Sequence, residues 1–166
     1  MGDGYDVRCK ECGYGLEAYL GAGFSFFRKY PEIVADMKSG KYGEAASTFF
    51  EEHPDGAVDI KNVVAICDAC DRLEVVPALS TWILKQDADE GEAYLHIGNG
   101  GDCKIPTWNM EAYFDKIADH EHLCESCRSR MRIMDAETFG QALFEGQVHC
   151  PKCHGIMEAE SIFNWD

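Results

Sequence analysis

Four C-x-x-C pairs, Cys9/Cys12, Cys67/Cys70, Cys124/Cys127 and Cys150/Cys153, take up eight of the nine cysteines in this chain of 166 residues. Two residues between cysteines is the spacing at which one tight turn aims both sulfurs at a single cation. Two such turns brought together complete a four-coordinate shell of the kind zinc favours. The eight cysteines are therefore the predicted ligands of two four-thiolate sites holding two Zn2+ ions. Repeated C-x-x-C pairs read as metal ligands in a reducing compartment, where disulfides do not persist, so a cytoplasmic location is expected.

Three groupings of four pairs into two sites exist. The sequential grouping, Cys9, Cys12, Cys67 and Cys70 in one site and Cys124, Cys127, Cys150 and Cys153 in the other, is favoured. The 22 residues between Cys127 and Cys150 approach the usual ribbon interval. A cross-braced grouping, first pair with third and second with fourth, is its main rival. Trp82 follows Cys70 by twelve residues and Trp165 follows Cys153 by twelve. Leu73 and Ile156 also align, and the match reads as a tandem repeat of two related ribbons.

A chain of this length fits one compact domain or two small ones whose cores need the help of metal staples. The expected class is α+β: two zinc ribbons, each a small antiparallel sheet with a four-cysteine knuckle, the first enlarged by a helical insertion. Residues 1–85 form the first ribbon with its insertion, 86–106 an acidic connector, and 107–166 a helix plus the second ribbon. In the insertion, one helix has Pro31 in its first turn and stops at Ser39-Gly40. A second spans about 42–52, with Ala45, Ala46, Phe49 and Phe50 on its apolar face. Strands are predicted at 62–66, 73–76 and 79–84, with a further edge strand at Ala93, Leu95 and Ile97 and a turn at Asn99-Gly100-Gly101-Asp102. A helix over 108–122, capped by Thr107, follows from the spacing of Met110, Tyr113, Phe114, Ile117 and Ala118. Another over 136–144 has Asp135 as cap and Gly146 as stop.

The turns CKECGY, from Cys9, and CPKCHG, from Cys150, resemble the knuckles of zinc-ribbon and rubredoxin-like proteins. The overall layout resembles small bacterial proteins with paired C-x-x-C motifs. The glycine that follows the second cysteine in such knuckles is present at Gly13 and replaced by Asp71, Arg128 and His154 at the other three turns. The resemblance implies either structural zinc or, as in rubredoxin-like electron carriers, iron. Zinc is favoured because the long insertion is unlike a minimal electron carrier.

Thirty Asp and Glu against fifteen Lys and Arg give a formal net charge of −15. Each zinc centre would add four thiolate charges against one divalent cation, which takes the total to about −19. Such a field repels nucleic acid and attracts basic surfaces. The expected function is that of an acidic zinc-binding interaction protein, an adaptor or inhibitor docking a basic protein surface such as the nucleic-acid site of an enzyme. The alternative is a nucleic-acid-binding ribbon: if Arg128, Arg130 and Arg132 lie on one strand they share a face and can meet phosphates. Ten Asp or Glu between Gln86 and Cys127 offer those arginines internal partners instead. No apolar run approaches the length of a membrane span.

The remaining candidates are read as structural. Cys103 is taken as an inert thiol. His120, His122, His149 and His154, which flank knuckles, are taken to bond sulfur or face water. Glu111, Asp115, Asp119 and His122 would form a solvated stripe on the 108–122 helix. No nucleophile elbow, phosphate-binding loop or H-E-x-x-H motif occurs, and no residue is assigned to catalysis.

Overall fold

The computed structural model describes residues 2–23, 26–95 and 104–165. Along the chain run β1 (Gly2–Cys9), β2 (Gly15–Gly21), α1 (Phe26–Lys38), α2 (Glu44–Glu52), β3 (Ala57–Asp59), β4 (Asn62–Ile66), β5 (Leu73–Pro77) and β6 (Ser80–Leu84). They are followed by α3 (Glu90–Ala93), β7 (Tyr94–Leu95), β8 (Ile105–Pro106), α4 (Met110–Tyr113), β9 (Phe114–Ala118), β10 (Arg132–Met134), α5 (Ala136–Phe144) and β11 (Met157–Trp165). The class is α+β with antiparallel sheets. Two compact units interleave along the chain: Met1–Phe24, Lys61–Ala78 and Glu121–Asp166 make the first, Ser25–Ile60 and Leu79–His120 the second. The segments expected from sequence, 1–85, 86–106 and 107–166, follow one another instead.

The first unit is built on a six-stranded sheet in the order β10-β4-β2-β1-β11, with β5 also paired to β4. Alternation along β1 sends Tyr5, Val7 and Cys9 into a core shared with Leu20, Val64, Phe139 and Met157. The other face of β1 carries Gly2 and Gly4, and there the missing side chains have a use. A Cβ on Gly4 would stand 2.2 Å from the Phe163 ring and one on Gly2 2.5 Å from the Trp165 indole nitrogen. Trp165 is held over the glycines by Nε1 donating to the Leu20 carbonyl at 2.9 Å, and Tyr19 meets both rings edge-on. Helix α5 closes the core side. Its N-cap Asp135 accepts from the Thr138 amide at 2.8 Å, Gly146 ends it at φ 68°, and the Tyr5 hydroxyl donates to the Ala136 carbonyl at 2.9 Å.

In the second unit α1 and α2 accompany the sheet β3-β6-β9 and the two-stranded ribbon β7-β8. Trp82, Ala93, Tyr94, Met110 and Phe114 form its core. Helix α1 begins five residues before Pro31, and α2 buries Ala46, Phe49 and Phe50 but leaves Ala45 exposed.

The predicted 108–122 helix is a correction. Only one turn forms, with Asn109 and not Thr107 at its N-cap position, and the chain then extends as β9. β6 is buried over Ser80–Trp82 and its outer edge needs a partner once β3 has taken the inner one. β9 supplies it through Trp82↔Lys116, Ile83↔Asp115 and Leu84↔Phe114. Tertiary pairing overrides an apolar spacing that suited a helix, and Ile117 is left exposed. The carboxylate stripe goes with the helix: Asp115 lies in β9, Asp119 pairs with Lys116, and His122 belongs to the first unit, where its Nε2 stands 3.3 Å from the Ala78 carbonyl.

The Trp repeat does not mark equivalent places. Trp82 lies in β6 of the second unit and donates to Ser80 Oγ, whereas Trp165 ends β11 in the first. After Cys70 the chain turns at Leu79, φ 59°, between β5 and β6; after Cys153 it runs on as one long strand.

Candidate metal centres

All four C-x-x-C turns have one backbone design. The amide four residues after the first cysteine donates back to that cysteine's carbonyl: Gly13 to Cys9 at 2.9 Å, Asp71 to Cys67 at 2.8 Å, Arg128 to Cys124 at 2.8 Å and His154 to Cys150 at 2.9 Å. The first cysteine's own amide donates to the carbonyl five residues on, in Tyr14, Arg72, Ser129 and Gly155, at 2.8 to 2.9 Å. Closing a turn this tightly requires positive φ at the residue after the second cysteine: 74° at Gly13, 55° at Asp71, 62° at Arg128 and 61° at His154. The departures from glycine at three turns therefore change the strain and leave the shape intact, since a side chain in this region is tolerated at a cost of about 1–2 kcal/mol.

Strand register decides which turns meet. β1 delivers Cys9 at its end, and Cys9 faces Met157 at the start of β11, so the Cys150–Cys153 turn lies beside the first. A His149↔Ile156 bridge closes that last turn. β4 and β5 carry Cys67 and Cys70 between Ile66 and Leu73, and β10 pairs Arg132 with Ile66 after the third turn has closed through Leu123↔Arg130. The quartets are consequently nested: Cys9, Cys12, Cys150 and Cys153 in one, Cys67, Cys70, Cys124 and Cys127 in the other. This corrects both the sequential and the cross-braced groupings. Local spacing describes a turn, whereas partner choice depends on pairing between the two ends of the chain.

Within each quartet the sulfurs all lie within 4.8 Å of one another. Cys9 and Cys153 are 3.4 Å apart, Cys12 and Cys150 3.5 Å, Cys67 and Cys127 3.4 Å, Cys70 and Cys124 3.6 Å, and Cys70 and Cys127 3.8 Å. Four thiolates at about 2.3 Å from a tetrahedral zinc stand about 3.8 Å apart, so the donors fit one such ion per quartet. None of the eight is in a disulfide. Cys9, Cys67, Cys124 and Cys150, the first of each pair, are buried; Cys12 and Cys127 reach the surface.

The thiols are electrostatically uneven. The Cys12 amide directed at the sulfur brings Cys9 down to about 7, and the Ser129 hydroxyl and amide bring Cys127 to about 6. The Cys127 amide also lowers Cys124. The Arg72 amide pulls Cys70 down, but the sulfurs of Cys67, Cys124 and Cys127 and burial outweigh it and push that thiol up to about 12. Cys153 reaches about 12 by the same balance, the Gly155 amide opposed by neighbouring sulfurs and burial. Each quartet thus sets a lowered thiol, Cys9 in one and Cys127 in the other, beside a raised one, Cys153 or Cys70, a conflict that a divalent cation removes.

Side chains tie the turns together. Arg72 of the second turn donates to Glu125 at 2.8 Å and to Ser126 at 2.9 Å in the third, and Arg132 reaches Asp68 at 3.0 Å. Lys10 pairs with Glu158 beside the other quartet. Between the quartets, His154 Nδ1 stands 2.5 Å from Asp71 Oδ2, which joins the positive-φ residues of two different turns.

The three arginines do not share a strand face. Arg128 occupies a positive-φ turn position, Arg130 lies 3.8 Å from Glu121, and only Arg132 is in β10. No histidine joins either quartet among the described residues: His120 packs on Tyr42 in the second unit, and His149 and His154 are exposed. Cys103 and the 99–102 turn lie outside the described residues. No helix among the described residues is long and apolar enough to cross a membrane. Compared with protein-family models, with curated proteins and with solved structures, the chain shows no match.

Proposed function

We propose that this protein is a non-catalytic zinc-binding interaction protein of the cytoplasm, an adaptor or inhibitor whose acidic surface docks a basic surface of a partner protein. The nucleic-acid site of an enzyme has the required chemistry. The observation that carries the reading is the closure of both quartets. Four cysteine sulfurs fill all four positions of a tetrahedral ion, which leaves none for a substrate and makes each ion a staple between distant parts of the sheet. A surface with net charge −15 on such a scaffold suits the capture of cations. The occupation of Arg132 by Asp68, and the closeness of Arg130 to Glu121, supports a protein partner over nucleic acid.

The zinc-loaded protein should leave duplex and single-stranded DNA unbound at about 50 mM salt. A partner recovered with it and then purified should bind it with an affinity that falls steeply as salt rises to about 500 mM. DNA binding that disappears on replacing Arg128, Arg130 and Arg132 by Ala would put the nucleic-acid reading in its place. Native protein purified with iron would do the same for electron transfer.

A further inference from the structure

The longest strand of the first unit is also an outermost one. β11 runs nine residues, pairs with β1 along one edge, and has no strand on its other edge among the described residues. A free edge of that length presents a row of unpaired N–H and C=O groups, which proteins ordinarily guard with Pro, Lys or a short strand. β11 contains no Pro, Lys, Arg or Gly. Its guards are Glu158, Glu160 and a bulge at Glu160, the residue left over where Asp6 faces Ser161 and Val7 faces Ala159.

Between this strand and α5 lies a cleft of about 280 Å3 lined by Tyr5, Leu143, Phe144, Ala159 and Ile162. Phe144 is 93% exposed and Ile162 67%, so two large apolar side chains border one concavity instead of being scattered singly. The surroundings are acidic. From Ile133 to Asp166 the sequence has six Asp or Glu against one Lys and no Arg after Arg132. Glu158 and Glu160 pair with Lys10 and Arg8, while Glu137 and Glu145 have no cationic partner among the described residues.

We infer that the free edge of β11 and the α5 cleft form a docking surface for an extended segment of a basic partner, which adds as a strand and sets apolar side chains against Phe144 and Ile162. The inference rests on the basic-partner reading above and names the surface that serves it. Side chains of an added strand point alternately to the two faces of the sheet. The fitting segment therefore alternates apolar residues, facing the cleft, with Lys or Arg on the opposite face of the sheet, where Asp6 and Glu158 lie. A second copy of this chain is a poor occupant, because it would bring its own β11 glutamates and a net charge of −15 to the same edge.

The probe is an end-blocked ten-residue peptide alternating Lys and Val, titrated into full-length zinc-loaded protein while backbone amide exchange is followed residue by residue. Exchange of β11 amides should slow on binding, and Phe144→Ser or Ile162→Ser should weaken affinity about tenfold. Both side chains are exposed, so both variants should keep two zinc ions, and Ile117→Ser in the second unit should bind as the unaltered protein does. A peptide of the same charge with Pro at alternate apolar positions should give no β11 protection. Binding of the Lys-Val peptide without β11 protection, or unchanged by the two substitutions, would overturn this surface while leaving the basic-partner reading in place. Equal binding of a Glu-Val peptide, or no binding of the Lys-Val peptide, would overturn both. Protection of β11 that grows with protein concentration in the absence of peptide would overturn the inference in favour of self-pairing.

Discussion

Gly13→Ala and Arg128→Gly should change stability in opposite directions, because they act on the same backbone position in two turns of one design. At Gly13, φ is 74° and an added Cβ meets nothing within 4 Å, so alanine brings backbone strain without a clash. That strain is about 1–2 kcal/mol, reduced by the smaller unfolded-state entropy of alanine, worth about 0.4–1 kcal/mol. A net destabilisation of about 1 kcal/mol remains. At Arg128, φ is 62° with a side chain in place and exposed, and glycine reverses the same two contributions, for a gain somewhat below 1 kcal/mol. Competition with a chromophoric chelator reads both changes, since metal affinity and folding of the turn are linked. A shift of 1 kcal/mol is about fivefold in zinc dissociation constant, weaker for Gly13→Ala and tighter for Arg128→Gly. Urea unfolding of the zinc-loaded variants should move in the same directions. Destabilisation by Arg128→Gly, or a neutral Gly13→Ala, would refute the claim that positive-φ strain is stored at these turns.

Three further outcomes follow from the same geometry. Asp135→Ala removes the bond to the Thr138 amide and should cost about 1 kcal/mol in urea unfolding, with zinc content unchanged. Gly4→Ala drives a Cβ to 2.2 Å from the Phe163 ring and should cost about 1–3 kcal/mol by the same assay, much of it relieved in a Phe163→Ala background. In the metal-free protein, Cys9 and Cys127 titrate below their ordinary value of 9, so the stability they contribute is present above pH 9 and lost as pH falls through about 7 and 6. Cys70 and Cys153 titrate above it, so their contribution is present below pH 9 and lost as pH rises toward about 12. Denaturation of metal-free protein at several pH values should therefore show a maximum near pH 9.

What could be read from the chain alone depended on how local its cause was. Helix α5 was visible because Asp135 and Gly146 mark its ends, and β4 because five consecutive residues carry a strong strand pattern before Cys67. The cysteine turns announced themselves by spacing. β1 and β11 were missed because their pairing is between the two ends of the chain and because Gly2 and Gly4 interrupt the usual alternation. Those glycines make sense only beneath Phe163 and Trp165, more than 150 residues away in sequence. The 108–122 helix failed for a related reason, since the edge of β6 lies outside any local window. The positive φ shared by Asp71, Arg128 and His154 was also hidden, because a strained residue leaves no signal in its own identity.

Cadmium-113 substitution reads the nested pairing of the two quartets residue by residue. Protein loaded with two equivalents of 113Cd should give two resonances, and 1H–113Cd correlation should connect one to the β-protons of Cys9, Cys12, Cys150 and Cys153 and the other to those of Cys67, Cys70, Cys124 and Cys127. A single metal that links Cys12 to Cys67, or Cys127 to Cys150, would rule out the nested pairing.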